Sequence, residues 1–204
     1  MTQPAPPRLP KPDALAWSGL CVLLALGSVA TWYSGGGAAL AWRAASWSQR
    51  PWVLWSASLV HLSGAHLLAN LLALAVIAVL GVYLDAGRAA TLALLVAWPL
   101  GTLALLGWPQ VAGYSGMSGL LNAMVAVLWA HTALRGGTKP VSFVIFAVLA
   151  LKLLSEHAWS QPIAFDPNWG FNVVYAAHLT GAAAGALCGL GFEASALLRA
   201  KAKP

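Results

Sequence analysis

Six runs of the chain (14–33, 61–84, 89–107, 117–133, 141–159 and 171–192) contain between them only two charged side chains, Lys152 and Glu156. As helices, such runs are long enough to cross, or nearly cross, ~30 Å of bilayer hydrocarbon. With 8% charged and 60% hydrophobic residues in 204, and a mean hydropathy of +0.75, a soluble domain is excluded. The two-residue alternation of a barrel is missing, so backbone polar groups must be satisfied within helices. The expected fold is an all-α polytopic membrane protein, a bundle of six transmembrane helices.

The net charge of +6 could suggest nucleic acid, but its distribution points to topology. Arg8, Lys11, Arg88, Arg135, Lys139, Arg199, Lys201 and Lys203 fall on one side of the expected spans, and only Arg43 and Arg50 on the other. By the positive-inside rule both termini face the cytoplasm, and no nucleic-acid partner is expected. The first run has a short basic leader but no small-x-small cleavage site before 34–37, so it reads as a retained anchor. Cys21 and Cys188 fall within spans and read as packing residues rather than a disulfide.

Residues 1–13 are Pro-rich and read as a disordered cytoplasmic tail. Residues 14–192 form the membrane domain. Its long first connection, 34–58, carries Trp42, Trp47, Trp52 and Trp55, which suits an interfacial segment with indole anchors. Residues 193–204 read as a basic cytoplasmic tail. No internal repeat is present.

Polar groups inside a membrane are costly, so their positions carry information. With the N-terminus inside, the second, fourth and sixth helices begin at the outer face. The second holds His61, His66 and Asn70, the fourth opens at Ser118, and the sixth carries His178 about two turns in, ~10 Å down. His66 and Asn70 are i, i+4 and share a face. Gly181, Gly185 and Gly189 recur every four residues, a ridge that admits a neighbouring backbone. If that neighbour is the fourth helix, whose start is small (Gly116, Ser118, Gly119, Ala123), His178 reaches the serine.

A serine hydroxyl with a histidine base points to acyl transfer. His66, Asn70 and a backbone N–H at the start of the fourth helix can supply the oxyanion donors. The second, fourth and sixth helices offer no carboxylate at that depth, so the expectation is a Ser–His dyad without a third member. Two Gly-x-Ser-Gly patterns overlap, centred on Ser115 and Ser118. Ser118, at the helix start, has the exposed N–H groups and the dipole that favour an anion.

Together, the HxxxxHxxxN of His61, His66 and Asn70, the Gly-x-Ser-Gly from Gly116 to Gly119 and the HxxGxxxG of His178, Gly181 and Gly185 resemble the rhomboid intramembrane serine proteases. The resemblance runs from about Trp52 to Gly189, with the motifs in that family's order. It implies Ser118 as nucleophile, because the residues after it fit the family pattern where those after Ser115 do not. The six-helix size, the wording around His178 and the Lys152/Glu156 pair resemble the rhombosortase branch. That narrower resemblance implies a transmembrane substrate with a C-terminal Gly-Gly motif, an apolar span and a basic end, cleaved at the outer face of a bacterial inner membrane. Asn122 stands where many rhomboids have an aromatic residue, and Val53 follows Trp52 in place of the family's Trp-Arg pair.

Blander readings stand beside these. His61 reads as a tether for the first loop, His131 as interfacial, Asp166 as a solvated loop residue, and Lys152/Glu156 as a self-compensating i, i+4 ion pair. Lys152, Glu156 and Asn122 are alternatively candidates for substrate recognition. His61, His66 and His178 could suggest a metal site, but HExxH and a carboxylate ligand are missing, so neither metal nor cofactor is expected. A small transporter or channel, and an inactive rhomboid-like binding protein, are the competing classes.

Overall fold

The structure, a computed structural model, describes residues 14–135 and 139–202. The tail at 1–13 and Lys203 lie outside them. In chain order the elements are α1 (Ala14–Ser34), α2 (Gly37–Leu40), β1 (Trp42–Arg43), α3 (Val53–Ser56), α4 (Gly64–Tyr83) and α5 (Arg88–Leu103). There follow β2 (Gly113–Tyr114), α6 (Ser118–Leu134), α7 (Lys139–Glu156), β3 (Ala164–Asp166), β4 (Phe171–Val173) and α8 (Tyr175–Lys201). The six long helices are the six apolar runs of the sequence. The end of the bundle at which α4, α6 and α8 begin is called upper below.

Large apolar side chains cover the outside of the bundle: Leu23, Val79, Phe143, Leu151 and Leu187 are all more than half exposed. A soluble protein does not present such a surface, and a bilayer covers it. Four helical stretches are long and apolar enough to span by themselves: Leu15–Ser34, Gly64–Tyr83, Arg88–Gly107 and Tyr175–Lys201. The other two fall short for identifiable reasons. At 17 residues, α6 is about 25 Å long, so one of its ends needs protein around it at membrane depth. α7 carries Lys139, Lys152 and Glu156. The protein is a multi-pass, all-α membrane bundle.

Several helix ends differ from expectation. The first residue of α4 is Gly64; Ser63 is its N-cap, in extended conformation with its hydroxyl accepting from His66 N at 3.1 Å, so His61 precedes the helix. α8 begins at Tyr175, because Phe171 belongs to an antiparallel hairpin in which Ala164 faces Val173 and Asp166 faces Phe171. His178 therefore stands in the first turn of its helix rather than two turns in. At the other end α8 runs on through Lys201, so residues 193–201 are helical.

The glycine ridge of α8 decides the packing at the centre. A Cβ on Gly181 would collide with the Gly119 carbonyl, and one on Gly185 with the Ala123 carbonyl. On the opposite flank, Gly101 of α5 meets the Gly181 backbone. Glycine at these positions lets α8 sit backbone-to-backbone between α5 and α6.

The first connection is also more folded than an interfacial loop. β1 pairs with β2 (Trp42 with Tyr114), and this ribbon buries Trp42 completely among Val53, Leu54, Leu105 and Ala176. Trp42 is thus a core residue and not an interface anchor, whereas Trp52 and Trp55 are exposed. At the lower end His131, expected to be interfacial, is 1% exposed. Its Nδ1 lies 2.7 Å from Glu193 Oε1 and its Nε2 3.0 Å from the Leu84 carbonyl. Arg135 donates to the other Glu193 oxygen at 3.3 Å. A wholly buried carboxylate needs partners of this kind.

Candidate active site

The upper start of α6 is fixed by its approach loop. Gly116 has φ +125, in the region that favours glycine, and its N–H donates to the Ala57 carbonyl at 3.0 Å. Tyr114 donates its hydroxyl to the Gly116 carbonyl. Burial pushes that phenol up to about 12, which keeps it a donor. Met117, fully buried, anchors the turn, and α6 begins at Ser118 with no side chain capping its first N–H groups.

Because α8 lies against α6 at Gly119 and Gly181, His178 comes level with Ser118. Its Nε2 is 2.8 Å from Ser118 Oγ. The other nitrogen is occupied as well: His178 Nδ1 is 2.9 Å from Glu156 Oε2 and 3.3 Å from Lys152 Nζ. Lys152 also donates to Glu156 Oε1. A carboxylate therefore does stand behind the histidine, contrary to the two-membered arrangement expected from the sequence. It comes from the last residue of α7, not from the second, fourth or sixth long helix. The Glu156 side opens into a cleft of about 500 Å³, bounded by Lys152, His157, Asp166, Trp169 and Tyr175.

His66 of α4 lies across the loop from α6. A Cβ on Gly116 would meet its Cε1 at 2.9 Å and its Nε2 at 3.2 Å, so glycine also makes room for this ring. The Leu62 N–H approaches His66 Nδ1 at 3.5 Å, a long contact that leaves Nε2 as the donor nitrogen. Phe171 and Trp169 of the α7–α8 hairpin pack on the ring, with centroids 5.1 and 5.8 Å away. Asn70, one turn further along α4, is 5% exposed, and its Nδ2 has no hydrogen-bond partner among the described residues. A buried amide donor without a partner is costly in a finished core and is what a site for an oxyanion would contain.

The remaining candidates divide. His61 donates Nδ1–H to the Leu59 carbonyl at 3.1 Å and stacks edge-on against His66 at 5.1 Å. Burial pushes it below the usual histidine range, with the Leu59 bond acting in the other direction. Asn122 spends an amide proton on the Ser118 carbonyl at 2.8 Å, four residues back along α6. Ser115 lines a separate cleft with Arg43 and His61. Asp166 accepts from the Asn168 N–H at 2.9 Å and shapes the hairpin turn.

A family model described as the rhomboid domain matches residues 48–194, most of the chain. The chain belongs to the rhomboid family. No curated protein matches it at a significant level. Rhomboids are in general serine intramembrane proteases that act on transmembrane substrates within the bilayer. In this rhomboid the matched region includes Ser118, His178, His66, Asn70 and Glu156, and also the lower Glu193. The contacts that sequence reading missed are those of Glu156 and Glu193. A usable signal existed for the first: Lys152 and Glu156 are the only charges in the six apolar runs, and Glu156 closes its helix at the upper end.

Proposed function

We propose that this rhomboid is a serine endopeptidase that cleaves a transmembrane segment near its outer end. The observation that carries the reading is the 2.8 Å contact between His178 Nε2 and Ser118 Oγ at the upper end of a membrane bundle. As Ser118 Oγ bonds to the scissile carbonyl carbon, its proton passes to His178 Nε2. The negative charge gathers on the carbonyl oxygen, where the Ser118 N–H, Asn70 Nδ2 and His66 Nε2–H are the donors. The intermediate collapses as the leaving amine takes the proton from Nε2, and water then releases the acyl ester by the reverse proton path.

The positive-inside rule, applied to Arg88, Arg135, Lys139, Arg199 and Lys201, supports a cytoplasmic lower end and a site that opens outward, as the reading of a bacterial inner-membrane protease requires. The substrate must reach Ser118 as extended backbone, and a transmembrane helix resists unwinding unless glycine lies near its outer end. A C-terminal tail made of Gly-Gly, an apolar span and a basic cluster meets this requirement. Its basic end stays inside and its glycines come level with Ser118, the rhombosortase arrangement.

The test is co-expression with an exported reporter carrying such a tail. Release of the reporter, lost with Ser118→Ala, supports the protease. Replacing the two glycines with leucine is expected to abolish release while membrane insertion persists. Undiminished cleavage of the Leu-Leu tail contradicts the Gly-Gly specificity and leaves the broader protease reading. A chain that binds the tail but never cleaves it is an inactive relative.

A further inference from the structure

We propose that Glu156, held by Lys152, is the third member of the site: a positioning residue that sets the tautomer of His178 and balances its charge as it takes the serine proton. This rests on the protease reading above.

The argument begins with what each group can do. A carboxylate only accepts hydrogen bonds and an ammonium only donates them. At His178 Nδ1 they compete, at 2.9 Å for Glu156 Oε2 and 3.3 Å for Lys152 Nζ. If Glu156 prevails, the proton is on Nδ1 and the lone pair of Nε2 faces Ser118 Oγ, as a general base requires. If Lys152 prevails, Nε2 carries the proton and cannot accept another. The carboxylate contact is the shorter one, and Lys152 already donates to the second oxygen of the same carboxylate. Lys152 thus holds Glu156 in place and does not hold the imidazole.

Burial gives the pair a second task. His178 is 5% exposed, and the imidazolium that forms during catalysis has little water to stabilise it. Glu156 Oε2 lies beside the nitrogen opposite the reacting one, where a fixed negative charge offsets the new positive one without approaching the serine. An i, i+4 ion pair made only for mutual neutralisation would need one carboxylate oxygen, and here the other is on the histidine.

The local fold sets this position. α7 ends at Glu156 because His157 takes a left-handed conformation, φ +49, where the chain turns. Its carbonyl then accepts from the N–H groups of Ser160 and Gln161, each at 2.9 Å. The helix end is therefore anchored by the turn after it, and lower down by Leu149 packed on Ala126 and Ala182. α7 presents Phe143, Val148 and Leu151 outward, and the polar residues of its upper end, Lys152 and Glu156, lie beside the site.

The experiment is steady-state cleavage by the purified full-length protein, with thermal unfolding and the rate of Ser118 labelling by a fluorophosphonate measured alongside. Glu156→Gln keeps the shape but can turn its amide donors to Nδ1 and enforce the wrong tautomer. A fall in kcat of up to about 10⁴-fold is expected, with KM and unfolding temperature unchanged and labelling slowed in step. Lys152→Met is expected to reduce kcat by less. Unchanged kcat in Glu156→Gln, or a rise in KM alone, overturns the proposal while leaving the protease reading intact. A wild-type protein that neither cleaves nor labels fails the protease reading itself. If Glu156→Gln is unstable, the Lys152→Met/Glu156→Gln double variant removes both charges together. Low kcat relative to Lys152→Met then supports the proposal, and equal kcat overturns it.

Discussion

Two histidine–glutamate pairs stand at opposite ends of the seam between α6 and α8, and they differ in what the second ring nitrogen faces. At the upper end His178 turns Nδ1 to Glu156 and Nε2 to the Ser118 hydroxyl. At the lower end His131 turns Nδ1 to Glu193 and Nε2 to the Leu84 carbonyl. A carbonyl has no proton to give, so His131 faces no hydroxyl that it could deprotonate. That ring ties α6, α8 and the end of α4 together and cannot activate a nucleophile there. A hydroxyl can give up a proton, so the upper pair can. Access differs in the same direction: Glu193 is fully buried, whereas Glu156 borders an open cleft. A carboxylate–imidazole contact is therefore no sign of catalysis on its own. The group at the far nitrogen and the route to it decide.

The comparison can be broken at either end. The largest effect is expected at the upper one. His178→Ala should lower turnover by up to about 10⁶-fold. Its thermal unfolding should stay near wild type, because the loss falls on proton transfer. Next is Glu193→Ala, which leaves His131 and Arg135 without their shared carboxylate. Leaving the buried His131 nitrogen without its acceptor costs about 1–3 kcal/mol. The unfolding temperature in detergent should drop clearly, while kcat per folded molecule is retained. A stable Glu193→Ala with low kcat would mean that the lower pair serves the reaction after all. Smaller than the His178 loss is that of Asn70→Ala, expected to cost ~10²–10³ in kcat with little change in KM, as for one oxyanion donor. If it is as inactive as the His178 variant, Asn70 does more than stabilise charge.

The sequence showed the architecture well and the site in part, for physical reasons. Helix count and the pairing of α6 with α8 were legible because bilayer thickness sets run length and because Gly181, Gly185 and Gly189 declare a close approach on one face. Ser118 was separable from Ser115 by its place at a helix start. What failed were features set by hydrogen bonds across connections. His61 lies outside α4 because Ser63 caps it, and Phe171 lies outside α8 in a hairpin that the apolar run there does not reveal. Glu156 lies on the fifth long helix, outside the three helices whose polar groups start at the upper end. α7 starts at the lower end and reaches the site only by finishing there. Trp42 looked like an anchor because tryptophan is common at interfaces, and only the β1–β2 pairing shows that it is enclosed.

The central claim is that Ser118, activated by His178, is the nucleophile. It is tested most directly by fluorophosphonate labelling of the purified protein with the modified residue located by peptide mass spectrometry. The account predicts a single adduct on Ser118, lost in Ser118→Ala and in His178→Ala and undiminished in Ser115→Ala. Labelling of Ser118→Ala at the wild-type level, or an adduct on Ser115, would contradict it.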